Sequence, residues 1–312
     1  MDLAALGAET GGVWTTAQAR ACGLSPEQVE GRVRRLEWQR VRHGVLADGG
    51  VVLDPAMRGW GCVLAAGGRG RAWAAGRTTA RLLGLPLIDD ADPATGAWQY
   101  PHDDVAVQSC RRPDQRATLH VQRLRLVRGD TVRVNGCPSL SLVRAIPGLV
   151  RGLSHEALVC LLDAALHRQL LSPSGLAKVA RIEQGRPWGR RLQLAGDAAD
   201  GRAEAPSETL ARLLLLPVLP GLVPQVELFD RGARLIARFD LGDERLRLAV
   251  ECDGKRAHAG PVMAARDHRR DRRAGAFGWA TERCTWFELR REQVQLVARV
   301  VATAEGLKRR AG

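Results

Sequence analysis

Three patterns in this 312-residue sequence predict a multidomain α+β protein. Residues 1–50 hold capped helical patterns followed by a basic alternating stretch. Residues 51–203 mix helical and alternating segments, so they read as a mixed α/β connecting region. Residues 204–312 order as helix, three strands, helix, strand, helix, an α/β core.

The first segment is the most strongly punctuated. TTAQARACG places Thr15 or Thr16 to cap a helix that Gly23 ends. SPEQVEGRVRRLEW starts with Ser25 as N-cap, Pro26 at the first helical position and Gln28 to complete a capping box. Val29, Val33 and Leu36 share one face of that helix, and Arg32, Arg34 and Arg35 lie mostly off it. WQRVRHGVLADGG then alternates, with Val41 and Val45 on one side and Arg40 and Arg42 on the other. This is the layout of a winged helix-turn-helix, whose second helix enters a major groove while wing arginines touch phosphates.

The middle region says less. MRGWGCVLAAG and TTARLLGLP suggest helices, DDVAVQSC and TLHVQRLRLV strands, and SHEALVCLLDAALHRQLL an amphipathic helix. Trp60, Trp73 and Trp98 read as packing residues, and His155 and His167 as structural. Residues 184–206 have the Gly, Pro, Ala and Asp content of a linker, with a boundary near 203.

Composition narrows the partner class. The formal charge is +13, carried by arginine apart from Lys178, Lys255 and Lys308, and favours a nucleic acid over a neutral substrate. The seven cysteines are scattered singly with no CxxC, which points to reduced thiols in a cytoplasmic protein rather than a disulfide framework or zinc site. No apolar run is long enough for a membrane span and the N-terminus lacks a basic leader, so neither export nor insertion is expected.

The chemistry concentrates in RFDLGDERLRLAVECDGKRAH, residues 238–258. Strand candidates PQVELFD, RLIARFD and LRLAVECD are separated by turns at DRGA and LGDE. The two-residue period puts Leu246, Leu248, Val250 and Cys252 on one face, and Glu251 with Asp253 on the other. With the turn at LGDE, Asp240 lies near the turn and Glu251 and Asp253 farther along, so a tight hairpin does not juxtapose them; twist and bending must. Carboxylates gathered in one cleft suit Mg²⁺ (or Mn²⁺), a hard cation taking oxygen ligands, and a metal-bound water that hydrolyses a phosphodiester. Asp240 and Glu251 are the first choices as ligands, and His258 as general base or phosphate contact. On the basic helix VMAARDHRRDRRAGAF, Arg266, Arg269, Arg270 and Arg273 form a stripe that would track phosphates beside such a cleft.

Two resemblances extend this reading. GGVWTTAQARACGLSPEQVEGRVRRLEWQRVRHGVL is similar to the N-terminal winged-helix domain of AbiEi-type antitoxins, regulators of type IV toxin–antitoxin systems. That likeness implies a DNA-binding module without itself implying a toxin partner. PSE at 206–208, FD at 239–240, VECDG with His258, RDHRRD at 266–271 and GWATERCTW at 278–286 resemble the PD-(D/E)XK nuclease superfamily, in the branch related to very-short-patch-repair endonucleases. It implies a restriction-endonuclease-like core in which Asp240 and Glu251 answer to the two acidic ligands and Glu208 adds to the metal site. The chain departs from the pattern at Asp253, which holds the superfamily's lysine position, leaving Lys255 and His258 as candidates for the lysine's work. Cys252 replaces an aliphatic or tyrosine residue, its main-chain carbonyl still able to bind metal, and Glu282 stands where relatives carry an apolar residue, so its strand is expected to be partly exposed.

The sequence-level expectation is a DNA-binding, metal-dependent endonuclease. The rival is a non-catalytic transcriptional regulator or antitoxin that uses the nuclease-like fold only for binding, with a cognate toxin as partner in the antitoxin case alone; a partner-binding scaffold is a third reading. Metal-dependent cleavage separates the first two, and DNA affinity at low salt the third.

Overall fold

The structure, a computed structural model, describes residues 7–90, 102–108, 119–253 and 272–311. It is a mixed α/β chain that divides into two compact units. Unit 1 comprises residues 1–90, 99–153 and 173–192; unit 2 comprises 91–98, 154–172 and 193–312. The expected boundaries near 50 and 203 do not coincide with this division.

In unit 1, β1 (Val13–Thr15), β2 (Trp38–Arg42) and β3 (Val45–Asp48) form an antiparallel sheet ordered β1-β3-β2. Two helices stand between β1 and β2: α1 (Thr16–Ala21) and α2 (Pro26–Arg34). Both begin as the sequence predicts. Thr15 caps α1 and Ser25 caps α2, each with a reciprocal capping box through Gln18 or Gln28. Trp14, Ala19, Val29, Trp38 and Leu46 make one small core, with the two indoles 5.3 Å apart and edge to face.

The other face of that sheet is buried against the next helix, α3 (Pro55–Ala65): Val13, Val45 and Ala47 join Met57, Trp60 and Val63 in one cluster. The sheet of residues 13–48 therefore shares a core with α3. The cluster continues into a mixed sheet of order β6-β5-β4-β8-β7, built from β4 (Ala72–Ala75), β5 (Asp103–Val107), β6 (Leu119–Arg123), β7 (Thr131–Val134) and β8 (Cys137–Leu140). Trp60 is buried, in keeping with a packing role, while Trp98 lies outside the described residues. Helices α4 (Gly76–Leu82), α5 (Leu142–Val150) and α7 (Pro173–Glu183) also belong to this unit.

Unit 2 contains α6 (His155–His167), the helix expected from its amphipathic pattern, packed on α9 (Pro206–Leu215). The expected linker at 184–206 is instead partly helical, with α8 at Gly189–Asp197. Between α6 and α9 the buried Asp163 carboxylate accepts Thr209 Oγ1 at 2.7 Å and Arg212 Nη2 at 2.8 Å, so the burial of one charge is offset by a second and by hydrogen bonds. The sheet order is β12-β11-β10-β9, from β9 (Val223–Phe229), β10 (Leu235–Asp243), β11 (Leu248–Asp253) and β12 (Ala280–Thr285). β9–β10 and β10–β11 pair antiparallel, β11–β12 parallel. Helix α9 packs on β10 and β11, and α10 (Trp286–Arg291) and α11 (Gln293–Ala311) close the unit. The single closing helix expected after the last strand is thus two helices, broken at Glu292. Residues 280–283 of β12 are half-buried, as expected from Glu282, whose carboxylate accepts Thr303 Oγ1 at 2.6 Å.

Among the described residues, no helix is long and apolar enough to cross a membrane.

Candidate functional site

The β10–β11 hairpin sets the geometry, and it differs from the expected one. β10 does not stop at Asp240: it runs on through Leu241, Gly242 and Asp243, and the turn lies at 244–247 rather than at LGDE. The buried Asp243 carboxylate holds that turn, its Oδ1 accepting the Arg245 and Leu246 amides at 3.0 and 3.1 Å. Gly221 lets it sit there, since a Cβ on Gly221 would meet Asp243 Oδ2 at 2.1 Å. Leu246 consequently belongs to the turn and not to the apolar strand face.

The register is a consequence of that turn. Leu241 pairs with Val250, Gly242 with Ala249 and Asp243 with Leu248. The later turn brings the Asp240 end of β10 alongside the end of β11 that holds Glu251 and Cys252, which a turn at LGDE would separate. The regular pairing ends at Leu241, and beyond it Asp240 Oδ2 accepts the Cys252 amide at 2.7 Å.

Glu208, in the first turn of α9, lies near enough to Asp240 for the two charges to interact. Its Oε2 accepts the Glu204 amide and Gln225 Nε2, each at 2.9 Å. Burial pushes the Glu208 carboxyl up to about 7, helped by the charges of Asp240 and Glu204 and opposed by those two hydrogen bonds. Ser207, at the head of this helix, does not cap it; Ala205 is the N-cap, Pro206 starts the helix, and no side-chain cap is made. Glu251 is 2% exposed in the middle of the sheet.

Gln225 is the residue that sequence reasoning missed. It lies in β9 between the pairs Val226–Phe239 and Pro224–Leu241, level with Asp240 of β10. Its φ of +59° is left-handed, uncommon for a side chain with a Cβ. Its amide nitrogen serves Glu208, and its buried Oε1 makes no hydrogen bond among the described residues. No pattern in PQVELFD signals this; the conformation shows only in the backbone.

On the far side of β11, Cys252 stands in register with Cys284 of β12, and the Cys284 thiol donates to Cys252 Sγ at 3.4 Å. That hydrogen bond and burial push the Cys252 thiol up, so it behaves as a neutral packing group. For Asp253, only the backbone at the end of β11 is described. Lys255, His258, Arg266, Arg269 and Arg270 lie outside the described residues; Arg273 is exposed in a helical turn at 272–276.

Among the described residues no group of three or more His, Cys, Asp or Glu side chains closes on a single metal position. That is compatible with Mg²⁺, which keeps several waters and takes one or two carboxylates with the remaining oxygens from substrate. Asp240, Glu251 and Glu208 each carry hard oxygen donors of the type that ion takes.

The arginines expected to touch DNA divide in two. Arg34 and Arg35 are exposed on α2; Arg35 and Arg32 pair with Glu37, and Arg40 pairs with Glu30. Arg42 instead turns inward. A register shift between Arg40 and Arg42 breaks the alternation of β2. The guanidinium then meets Asp103 and Cys62 Sγ, and its side chain is 14% exposed. It does not share the solvent-facing side with Arg40 that alternation predicts.

No family model matches the chain. Two curated proteins of Mycobacterium tuberculosis, Uncharacterized protein MT2308 of strain CDC 1551 / Oshkosh and Uncharacterized protein Rv2248 of strain ATCC 25618 / H37Rv, are each 30% identical to it over 158 residues. The match covers 49% of this chain and 56% of each relative, so it spans about half the length of the proteins it resembles.

Proposed function

We propose that the chain is a DNA-binding protein whose unit 2 is a metal-dependent endonuclease core of the restriction-endonuclease type, with a winged helix-turn-helix at residues 7–50. The carrying observation is the closeness of Glu208 on α9 to Asp240 on β10, whose Oδ2 accepts the amide of Cys252, the residue after Glu251.

Asp240 and Glu251 would hold the ion, with Glu208 and the Cys252 carbonyl as neighbouring oxygen donors. Bound Mg²⁺ or Mn²⁺ would supply Lewis-acid polarisation of a phosphoryl oxygen and a more acidic water. The Cys252 amide orients the Asp240 carboxylate through its hydrogen bond. Glu208 can hold a proton near neutral pH, poised to exchange it with water or a leaving oxygen. Lys255, His258 and Asp253 complete the proposal as catalytic groups at and beyond the end of β11, and Arg34 with the exposed pairs at Arg32, Arg35 and Arg40 contributes phosphate contacts.

The test is cleavage of plasmid and oligonucleotide DNA, including mismatched and branched duplexes, in Mg²⁺ or Mn²⁺. Cleavage by wild type that is lost in both Asp240→Ala and Glu251→Ala, with DNA binding kept, supports the enzyme. Binding with no cleavage of any substrate replaces it with the regulator or antitoxin. That second reading is favoured by one specific observation: the carboxylate oxygens of Asp240 and Glu208 already accept hydrogen bonds from the protein.

A further inference from the structure

Unit 1 carries a polar cluster that plays no part in the metal-site reading. β5 and β6 run parallel, with Asp104 in register with His120. The Asp104 carboxylate is 1% exposed. Its Oδ2 accepts the Arg77 amide at 2.8 Å, and its Oδ1 lies 2.9 Å from His120 Nδ1. A carboxylate only accepts, so Nδ1 carries a hydrogen and in the neutral ring the lone pair is on Nε2. The His120 side chain is half exposed, and Nε2 bonds no other described residue.

His102 stands beside it, the rings edge to face with centroids 6.1 Å apart. Its Nε2 lies 3.2 Å from Arg77 Nη1 and 3.9 Å from Asp104 Oδ1. A guanidinium only donates, so Nε2 accepts from Arg77 and the His102 hydrogen is on Nδ1. Burial holds this imidazole below its usual value, with Arg77 and His120 acting the same way against the pull of Asp104. Behind the rings, Arg77 pairs with Asp90, and Arg81 with Asp90 and Asp103, so the buried charges are matched. The two rings then offer complementary nitrogens: a lone pair backed by a carboxylate, and an N–H.

We propose that His120, oriented by Asp104, and His102 form an acid–base site that cleaves single-stranded RNA without a metal ion. No Ser, Thr or Cys side chain among the described residues bonds His120, so the substrate must bring its own nucleophile. The 2′-hydroxyl of RNA stands next to its phosphodiester and does so. The strand that carries His120 continues into exposed Arg123, Arg125 and Arg128, a track for a polyanion. In the step, His120 Nε2 takes the 2′-hydroxyl proton while O2′ bonds to phosphorus. The P–O5′ bond breaks, and the proton passes from His120 to the departing O5′, directly or through water. The products are a 2′,3′-cyclic phosphate and a 5′-hydroxyl, and both imidazoles end as they began. His102 Nδ1–H donates to a non-bridging oxygen as charge builds on it.

The experiment uses the full chain in excess EDTA with a 5′-labelled single-stranded RNA and a DNA of the same sequence. The expected result is RNA cleavage to cyclic-phosphate ends with the DNA intact. His120→Ala, prepared identically and shown by thermal melting to be folded, should cleave ~100-fold more slowly or worse. Added imidazole should restore part of that loss, which no purely structural role of His120 explains. Excess EDTA silences any metal-dependent cleavage, which keeps this site separable from the metal-dependent one. RNA left intact in EDTA, DNA cut under the same conditions, or a His120→Ala protein as active as wild type would each overturn the proposal.

Discussion

Asp240 Oδ2 accepts the Cys252 amide at 2.7 Å, across the two central strands of unit 2. One carboxylate thereby takes over where the backbone pairing of the hairpin ends at Leu241. Structure and proposed chemistry load the same oxygen atoms, and substitutions can separate them. Asp240→Asn keeps an acceptor oxygen for the amide and gives up the charge. Its unfolding midpoint in urea should stay close to wild type, while divalent-ion binding by calorimetry is lost. Asp240→Ala leaves the half-buried Cys252 amide without that acceptor and should cost roughly 1–3 kcal/mol of stability. Equal destabilisation by both variants would mean that the charge, and not the hydrogen bond, holds the strand end.

Glu208 makes a prediction about pH. Its carboxyl sits at about 7 in the folded protein against an ordinary 4.5. Below about pH 4.5 folded and unfolded chains both carry the proton. Between there and about 7 the folded chain keeps a proton that the unfolded chain has released, so stability falls as pH rises through this window and levels off above it. Thermal midpoints measured from pH 4.5 to 8 should show that decline, and Glu208→Gln should flatten it. Saturating Mg²⁺ should also flatten it if the ion sits against these carboxylates, because a cation favours the ionised form. A decline of equal size in Glu208→Gln would assign the effect to another group.

Gln225 combines a left-handed backbone with a hydrogen bond to Glu208. The two contributions oppose each other: the conformation costs roughly 1 kcal/mol for a residue with a Cβ, and the bond recovers about as much. Gln225→Ala loses the bond and keeps the strain. Gln225→Gly loses the bond and the strain together, at the cost of a more flexible unfolded chain. The glycine variant should therefore be at least as stable as the alanine variant in urea denaturation, and the Glu208 carboxyl should rise further in both. An alanine variant clearly more stable than the glycine variant would show that the strand holds no strain at this position.

The readability of this chain from sequence tracks how local each determinant is. Ser25, Pro26 and Gln28 act on groups within one helical turn, and the capping box at α2 forms as their spacing dictates. Asp240 and Glu251 are identifiable by residue type and spacing, but their meeting depends on where the hairpin turns. LGDE has the composition of a turn, yet Asp243 serves as the last strand residue and holds the turn one step further on. A shift of a few residues in that turn decides which part of β11 lies beside Asp240. The five-stranded sheet of unit 1 is legible only in part because β5 pairs antiparallel with β4 and parallel with β6, and such crossovers leave no local signature. The helix at Gly189–Asp197 is hidden by a composition that also suits a linker.

Arg34 and Arg42 provide the clearest test of the proposed DNA contact, because the structure sends them in opposite directions. Arg34 is exposed at the end of α2 and makes no ion pair among the described residues. Arg42 is drawn inward to Asp103 by the irregularity in β2. If the first sheet and its helices lie on DNA, Arg34→Ala should weaken binding similarly across sequences and lower the slope of log affinity against log salt by about 1, the signature of one lost phosphate contact. It should leave the thermal midpoint nearly unchanged. Arg42→Ala should do the reverse. It leaves Asp103 with only part of its buried partner set, lowers the midpoint, and changes the salt slope little at a temperature where the protein stays folded. Fluorescence anisotropy on a labelled duplex across a salt series measures both. A salt slope that moves for Arg42→Ala and not for Arg34→Ala would place the DNA on a different face of this unit.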